Sequence, residues 1–372
     1  MVDHGNTNAP SQRAPVSRLR HAFAGTCLAL SIVTSLALAA LFRNHAPDLV
    51  LYYVTYRPAW VWFALMLPFA IFAFFGAKRS WSFIAVGVWL VCLALSEEAM
   101  PLLRAVDQRA HSDFDALHAA GPTTGKAAFR VATWNIHGRH ETVDEELALL
   151  GRYDPDVVCL QEVPRNRIVP DAMLRSEKFS AFHFVHIVNC AVMSRFPVED
   201  VSVRLLPRSR GHVVRISFAP GLTAMLVNVH MPPAALVAQI WPRRGWTRLE
   251  GQAELLRRQF MDLGEVARLW AGVTPVLVVG DFNAPGNYDA VRSGLDPLRD
   301  TFLLAGHGWG KTFSAAIPAS RIDMIYASQA FEAVDCRALP RGPSDHRAVI
   351  ADLVLQPAQE SGDAVSTESA AR

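Results

Sequence analysis

Apolar residues are crowded into the first quarter of this chain. Residues 22–42 form a run without one charged side chain, and about 20 such residues suffice for a helix to cross a hydrocarbon core. Residues 59–77 and 81–96 repeat the pattern at shorter length. Three such runs within the first hundred residues fit buried core helices poorly. The sequence therefore predicts a three-helix transmembrane region over 21–96, after a cytoplasmic tail at 1–20. Arg13, Arg18 and Arg20 precede the first run, and Lys78 and Arg79 separate the second from the third. The positive-inside rule puts both groups on the cytoplasmic side. Tyr52, Tyr53, Tyr56 and Trp60 suit an interfacial aromatic belt. A chain leaving the third span emerges on the far side, so the remainder is expected to be extracytoplasmic, in a multi-pass protein of the inner membrane facing the periplasm. Ala37-Leu38-Ala39 resembles a signal-peptidase site. Cleavage there would leave two spans and the same exit side; the long basic leader favours an uncleaved anchor.

Beyond the apolar quarter the chain reads as globular. Residues 97–125 are expected to be a linker with short helical stretches, closed by the breaker run Gly121-Pro122-Thr123-Thr124-Gly125. Residues 126–357 form the main domain, and the polar tail 358–372 is expected to be disordered. From residue 121 onward there are 27 basic and 27 acidic residues. A domain that grips nucleic acid mainly through its phosphates is usually basic, so this balance weakens that reading. Five cysteines in no regular spacing suggest neither a disulfide framework nor a zinc site.

Within the main domain, β-rich runs at 130–134, 157–160, 183–187, 212–218, 223–229, 276–279, 322–327 and 348–355 alternate with helical patterns. Residues 141–151 and 248–270 read as amphipathic helices. In the second, Leu249, Ala253, Leu256, Phe260, Leu263 and Val266 recur at helical spacing, as core packing requires. The mixture predicts an α/β domain with sheets covered by helices.

Chemically able side chains sit just past these runs. Val131-Ala132-Thr133-Trp134 leads into Asn135, and Val157-Val158-Cys159-Leu160-Gln161 into Glu162. Leu226-Val227-Asn228-Val229 delivers His230. Val276-Leu277-Val278-Val279-Gly280 delivers Asp281 and Asn283. Asp323 opens a strand, and Asp345-His346 precedes the last one. Strand ends gather along one sheet edge, where a rigid scaffold usually presents catalytic groups. Taken singly, each residue reads as a turn cap, a surface carboxylate or a core histidine. It is the repetition that points to a site.

These segments resemble the endonuclease/exonuclease/phosphatase superfamily, which includes exonuclease III-like and DNase I-like enzymes, sphingomyelinases and inositol polyphosphate 5-phosphatases. The similar pieces are Thr133-Trp134-Asn135-Ile136-His137-Gly138, Leu160-Gln161-Glu162-Val163, Val227-Asn228-Val229-His230, Gly280-Asp281-Phe282-Asn283-Ala284-Pro285, Arg321-Ile322-Asp323-Met324-Ile325-Tyr326-Ala327 and Ser344-Asp345-His346. They stand in the family's order over about 129–355. The resemblance implies a four-layered sandwich of two mixed β-sheets flanked by helices. It also implies an Mg²⁺-dependent phosphoesterase, with Mn²⁺ as a substitute, that attacks phosphorus in line with water. Asn135, Glu162 and Asp345 would serve the metal, which prefers oxygen ligands. Asp323 would orient His346, Asp281 would position or deprotonate the water, and Asn283 and His230 would donate to phosphate oxygens. His137 departs from the acidic residue usual in the AP endonucleases, and the tyrosine that such nucleases use near the phosphate is missing.

The segment 231–246 carries Ile240, Trp241, Arg243, Arg244 and Trp246 straight after His230. It suits a lipid headgroup interface, stacking on bases, or a packed loop. The expected substrate is thus a phosphoester of nucleic acid or of a lipid headgroup, with membrane lipid met by the N-terminal helices. No protein partner is indicated. A non-catalytic membrane binding module is the remaining alternative, disfavoured by the intact set of site residues.

Overall fold

The computed structural model describes residues 14–43, 59–72, 74, 79–94, 101–102, 104, 108–123, 125–164, 167–201, 210–233, 243–271 and 273–356. The chain divides into an N-terminal unit, residues 1–46 with 57–100, and a larger unit, residues 47–56 with 101–372.

In the N-terminal unit α1 (Ala14–Arg43) is followed by α2 (Ala59–Phe72) and α3 (Arg79–Ala94). The charge-free stretch of α1 makes Arg18–Ala40, 23 residues, long and apolar enough to cross a membrane. At 1.5 Å per residue it spans about 34 Å, against a core of about 30 Å. The expected second and third spans are corrected here. The 14 residues of α2 and the 16 of α3 reach only about 21 and 24 Å. Pro68 also removes a backbone donor inside α2. Among the described residues, then, one helix and not three meets the length requirement. Trp89 Nε1 donates to Phe63 O at 2.9 Å, joining α3 to α2. The aromatic belt at 52–56, the basic Arg13 and the tail from 358 lie outside the described residues.

The larger unit opens with α4 (Gln108–Ala120) and β1 (Ala127–Asn135). Then come α5 (Val143–Gly151), β2 (Val157–Gln161), α6 (Ile168–Arg175), β3 (His183–Ile187), β4 (Cys190–Ser194), β5 (Val198–Asp200), β6 (Arg210–Ala219) and β7 (Leu222–His230). The remainder is α7 (Arg243–Ala271), β8 (Val276–Asp281), α8 (Asp289–Leu295), β9 (Arg299–Asp300), α9 (Thr301–Ala305), β10 (Asp323–Ala327), β11 (Phe331–Ala338) and β12 (Val349–Leu355). They form two six-stranded sheets, ordered β11-β12-β1-β2-β4-β3 and β5-β6-β7-β8-β10-β9. Each sheet has one parallel pair at its centre, β1 with β2 and β7 with β8, and antiparallel strands outside it.

The period of two along each strand separates three cores. Phe129, Val131 and Cys159 of one sheet meet Val214, Ile216, Leu226, Leu277 and Ile325 of the other in the central core. The outer face of the first sheet packs on α5 and α6 through Leu147, Leu150, Ala172 and Met173. The outer face of the second packs on α7 and α8 through Leu256, Phe260, Leu263, Ala267 and Val291. The result is the four-layered sandwich with two mixed sheets. Each fully buried large side chain, Trp134, Phe129, Phe260 and Phe282 among them, contributes about 1.5–3 kcal/mol of transfer free energy.

The segment before β1 is bonded to the sandwich. Phe114 of α4 is buried with Ala128, Val334 and Val354. His118 Nε2 meets Asp156 Oδ2 at 2.7 Å. Burial would lower the His118 pKa, but the Asp156 hydrogen bond outweighs it and raises it. Arg104 donates to the carbonyls of Phe302 (3.2 Å) and Gly306 (3.0 Å), among the last of α9.

Candidate active site

Strand direction explains why the chemically able residues meet. The C-terminal ends of β1, β2, β7 and β8 carry Asn135, Gln161-Glu162, His230 and Asp281 to one edge. The antiparallel β10 and β12 begin at that edge, so Asp323 lies opposite Asp281 in register and Val349 opposite Thr133. The 323 and 344–346 segments thus face the ends of the other four strands. Gly280 permits the close approach: its φ is 141°, and a Cβ there would lie 2.0 Å from Val229 O.

A cleft of about 510 Å³ opens at this edge, lined among others by Glu162, His230, Asp281, Asn283, Asp345 and His346. Asp281 lies at its floor, buried. Its Oδ2 accepts from Asn135 Nδ2 (3.0 Å) and Asn283 Nδ2 (3.1 Å), and its Oδ1 from Asn283 N–H (2.8 Å). His346 Nδ1 pairs with Asp323 Oδ2 at 2.9 Å, and His346 Nε2 points back to Asp281 Oδ2 at 3.9 Å. His230 Nε2 stands 3.7 Å from Asp281 Oδ2 and 3.5 Å from Glu162 Oε1. Asp281, Asp323 and His346 make a compact buried trio.

The electrostatics follow from this crowding. Burial, and next the Asp323 charge, raise the Asp281 carboxyl to about 7. Burial alone would lower His346, but the Asp323 carboxylate, with Asp281 and Asp345 behind it, raises it to about 10. Near neutral pH the Asp323 carboxylate favours the imidazolium form of His346, and burial favours a proton on Asp281.

Each expected residue has a definite place. Asn135 Oδ1 accepts from the His137 N–H (3.0 Å) and its Nδ2 also donates to Glu162 Oε1 (3.1 Å). The Asn283 amide is directed at Met231 O (2.8 Å) as well as Asp281. Glu162 and Asp345 stand at the mouth, 35% and 39% exposed, both near His137 Nδ1, at 3.9 and 3.3 Å. The segment 231–246 lies mostly outside the described residues.

Other members carried little signal. Asn189 Nδ2 meets His230 Nδ1 at 2.9 Å. With that amide donating, the other ring nitrogen carries the proton and points it at the cleft. Thr312 Oγ1 accepts from the N–H groups of Ile322 and Asp323, both at 3.3 Å. Ser344 Oγ donates to Asn135 O (2.7 Å) and accepts from His346 N–H (3.1 Å). Below the floor, Asn228 donates to Leu160 O and Ala191 O and accepts from Gln161 Nε2 (2.8 Å). Gln161 and Ser344 belong to recognisable segments; Asn189 and Thr312 act only through long-range contacts. His137 (φ 54°), Glu162 (φ 54°) and Asn283 (φ 47°) all hold left-handed backbone without being glycine. Such strain, about 1–3 kcal/mol per residue, collects at functional sites.

No curated protein sequence matches the chain. Among solved structures it is similar to an endonuclease/exonuclease/phosphatase from Bacteroides vulgatus, at 18% identity and a TM-score of 0.49 over 62% of this chain and 100% of that one. A family protein from Bacteroides thetaiotaomicron matches at 16% identity and 0.47 over 62% and 99%. A mannosyl-6-phosphatase from the same organism matches at 17% and 0.44 over 60% and 99%. Residues 132–346, more than half of the chain, match the Endonuclease/Exonuclease/phosphatase family, and the chain belongs to that family.

Proposed function

We propose that the protein is a metal-dependent phosphoric ester hydrolase in which water attacks phosphorus in line, with no covalent intermediate on the enzyme. The observation that carries this reading is Asp281. It is a buried carboxyl held by three hydrogen bonds, raised to about 7, with an imidazolium 3.9 Å away. A general base works best when its pKa lies near the operating pH. Asp281 orients the water and takes its proton. Asn135 and Asn283 keep both Asp281 oxygens aimed. Asp323 keeps His346 charged, so that His346 Nε2–H meets a phosphate oxygen and opposes the charge that grows there. His230 Nε2 adds a second donor from the far side.

The residues present fit a hard divalent cation. Glu162 and Asp345 are carboxylates at an open mouth, with room for water ligands. Asp345 Oδ1 is buried without a hydrogen bond, facing His137 Nδ1. The buried trio suits an ion less well, because His346 Nδ1 is bound to Asp323. Glu162 and Asp345, with Asn135 behind Glu162, would hold Mg²⁺ or Mn²⁺, whose charge would offset that of the phosphate.

The same proposal has α1 anchoring the chain in a membrane. Arg18 and Arg20 flank the start of the apolar stretch, which favours a cytoplasmic N-terminus. One span, like three, would leave the domain outside the cytoplasm. Protection of the domain from protease added to intact spheroplasts would refute that orientation.

The catalytic reading is tested on the full chain in detergent. Bis-p-nitrophenyl phosphate, single-stranded DNA, RNA and phospholipid vesicles are offered with Mg²⁺, and again with EDTA. Hydrolysis that EDTA stops and His346→Ala abolishes is the expected result. EDTA-resistant hydrolysis, or full activity of the variant, would sink it.

A further inference from the structure

One wall of the cleft has no duty in the chemistry above. Phe313 lines it, 39% exposed, with its ring centroid 4.8 Å from that of His346. An exposed aromatic side chain alone is ordinary. Here two further observations set it apart.

The first is that Phe313 is held rigidly. Its N–H donates to Ser320 O (3.0 Å), and its carbonyl accepts from Ala319 and Ser320 (2.9 Å each). Its neighbour Thr312 accepts from Arg347 N–H at 2.9 Å through its carbonyl, and from Ile322 and Asp323 through Oγ1. The backbone that carries the ring is thus fixed to the strand starts that carry Asp323 and His346, and the ring rests against His346. A side chain so placed has less freedom to lose on binding.

The second is the chemistry of the remaining lining. It offers Pro232 and Pro233, next to the buried Met231, with Glu162 and Asp345 at the mouth. None of the described lining residues is lysine or arginine. Glu162 and Asp345 are already given to the cation, and the described lining offers no lysine or arginine to a second phosphate, whereas an uncharged planar group would meet a ring and two prolines.

We propose that Phe313 is the platform for a planar, uncharged ring borne by the substrate phosphate, and that it makes the site select ring-bearing phosphate esters over those with small alkyl groups. The ring comes from an aryl alcohol or from a nucleobase. The proposal rests on the phosphoesterase reading for the place of the phosphate. The platform itself is a binding property.

The test uses the full chain in detergent with Mg²⁺ and measures binding by calorimetry at a pH where the phosphates are dianions. Methyl phosphate, phenyl phosphate and thymidine 5′-phosphate are compared. Phenyl phosphate is expected to bind about tenfold more tightly than methyl phosphate, the gain of an aromatic contact with its buried area. Phe313→Ala and Phe313→Leu should reduce that ratio to about twofold or less, whereas Phe313→Tyr should keep it. The leucine variant keeps apolar bulk against His346 and removes only the flat face. If thymidine 5′-phosphate gains alongside phenyl phosphate, the platform takes nucleobases. If phenyl phosphate gains alone, it takes other rings; either result supports the proposal. Equal binding of methyl and phenyl phosphate, or a ratio that survives in Phe313→Ala, overturns it. Hydrolysis of bis-p-nitrophenyl phosphate by the same sample separates the two ideas. A ratio lost in the variant with no turnover in the wild type defeats the phosphoesterase reading and leaves the platform standing.

Discussion

The floor of the cleft and its mouth are built from the same kinds of residue and behave differently. On the floor, Asp281, Asp323 and His346 are buried and bound at 2.8–3.1 Å. At the mouth, Glu162 and Asp345 face His137 across 3.9 and 3.3 Å, with more than a third of each side chain exposed. The difference lies in desolvation. Burial and the Asp323 charge move Asp281 up to about 7 against the pull of the His346 imidazolium, and the Asp323 carboxylate moves His346 up to about 10 against its own burial. Carboxylates that water reaches can rearrange around a cation and its waters. On the proposed reading, depth alone makes a fixed proton-handling group and an adaptable cation seat from one side-chain chemistry.

The comparison predicts a ranking. Floor substitutions should cost most, and Asp281→Asn should lower kcat by about 10²–10⁴-fold with the protein still folded, the usual contribution of a positioned base. Steady-state kinetics beside a thermal melt decides it; a loss under tenfold would remove Asp281 from its role.

Asp323→Asn comes next, and it separates charge from position. Wild-type activity should rise as pH passes about 7 and fall as it passes about 10, limbs that belong to the trio as a unit. Removing the Asp323 charge should bring the upper limb down toward the ordinary histidine value of 6.5. Stability follows with a definite sign. A histidine raised by folding stabilises fully below its ordinary 6.5 and loses that contribution as pH climbs through about 10. Urea titrations should show this decline between pH 6.5 and 10 in the wild type and a flatter curve in Asp323→Asn. An unmoved upper limb would mean that Asp323 does not hold the charge on His346.

Glu162→Gln, at the mouth, should act on the cation and spare the proton chemistry. The Mg²⁺ concentration for half-maximal activity should rise about 10–100-fold, with kcat at saturating Mg²⁺ recovering most of its value. A kcat loss that Mg²⁺ cannot rescue would erase the distinction between the two levels.

The residues that meet at this edge were more legible in the sequence than the side chains behind them. Asn135, Glu162, His230, Asp281, Asp323 and His346 each follow or open an apolar run, so one rule about strand ends located them all. Asn189 and Thr312 obey no such rule; they matter because the fold brings 189 to 230 and 312 to 323. The central strands also announced themselves. β4 was weaker: like β2 and β8 it is buried along its length, but Cys190-Ala191-Val192-Met193-Ser194 offers one β-branched residue where they offer two and three. β11 was hidden by charge: Asp335, buried, is neutralised by His307 at 2.7 Å and by Arg337, partners invisible before folding. The three apolar runs illustrate the opposite error. Composition alone made α2 and α3 resemble spans, but a membrane measures length, and among the described residues their helices reach 14 and 16 residues.

Arg104, Phe114 and His118 make the stretch before β1 a splint laid along the sandwich. A protease that nicks the Gly121–Gly125 breaker would cut the covalent path between the apolar helices and the enzyme. It would not by itself set the enzyme free. The splint would keep its three capped carbonyls, those of Phe302, Leu303 and Gly306, its aromatic plug and its pairing with Asp156. With α1 anchored as proposed, release of the sandwich would then depend on how fast that clasp opens, and protonation of His118 should tighten it.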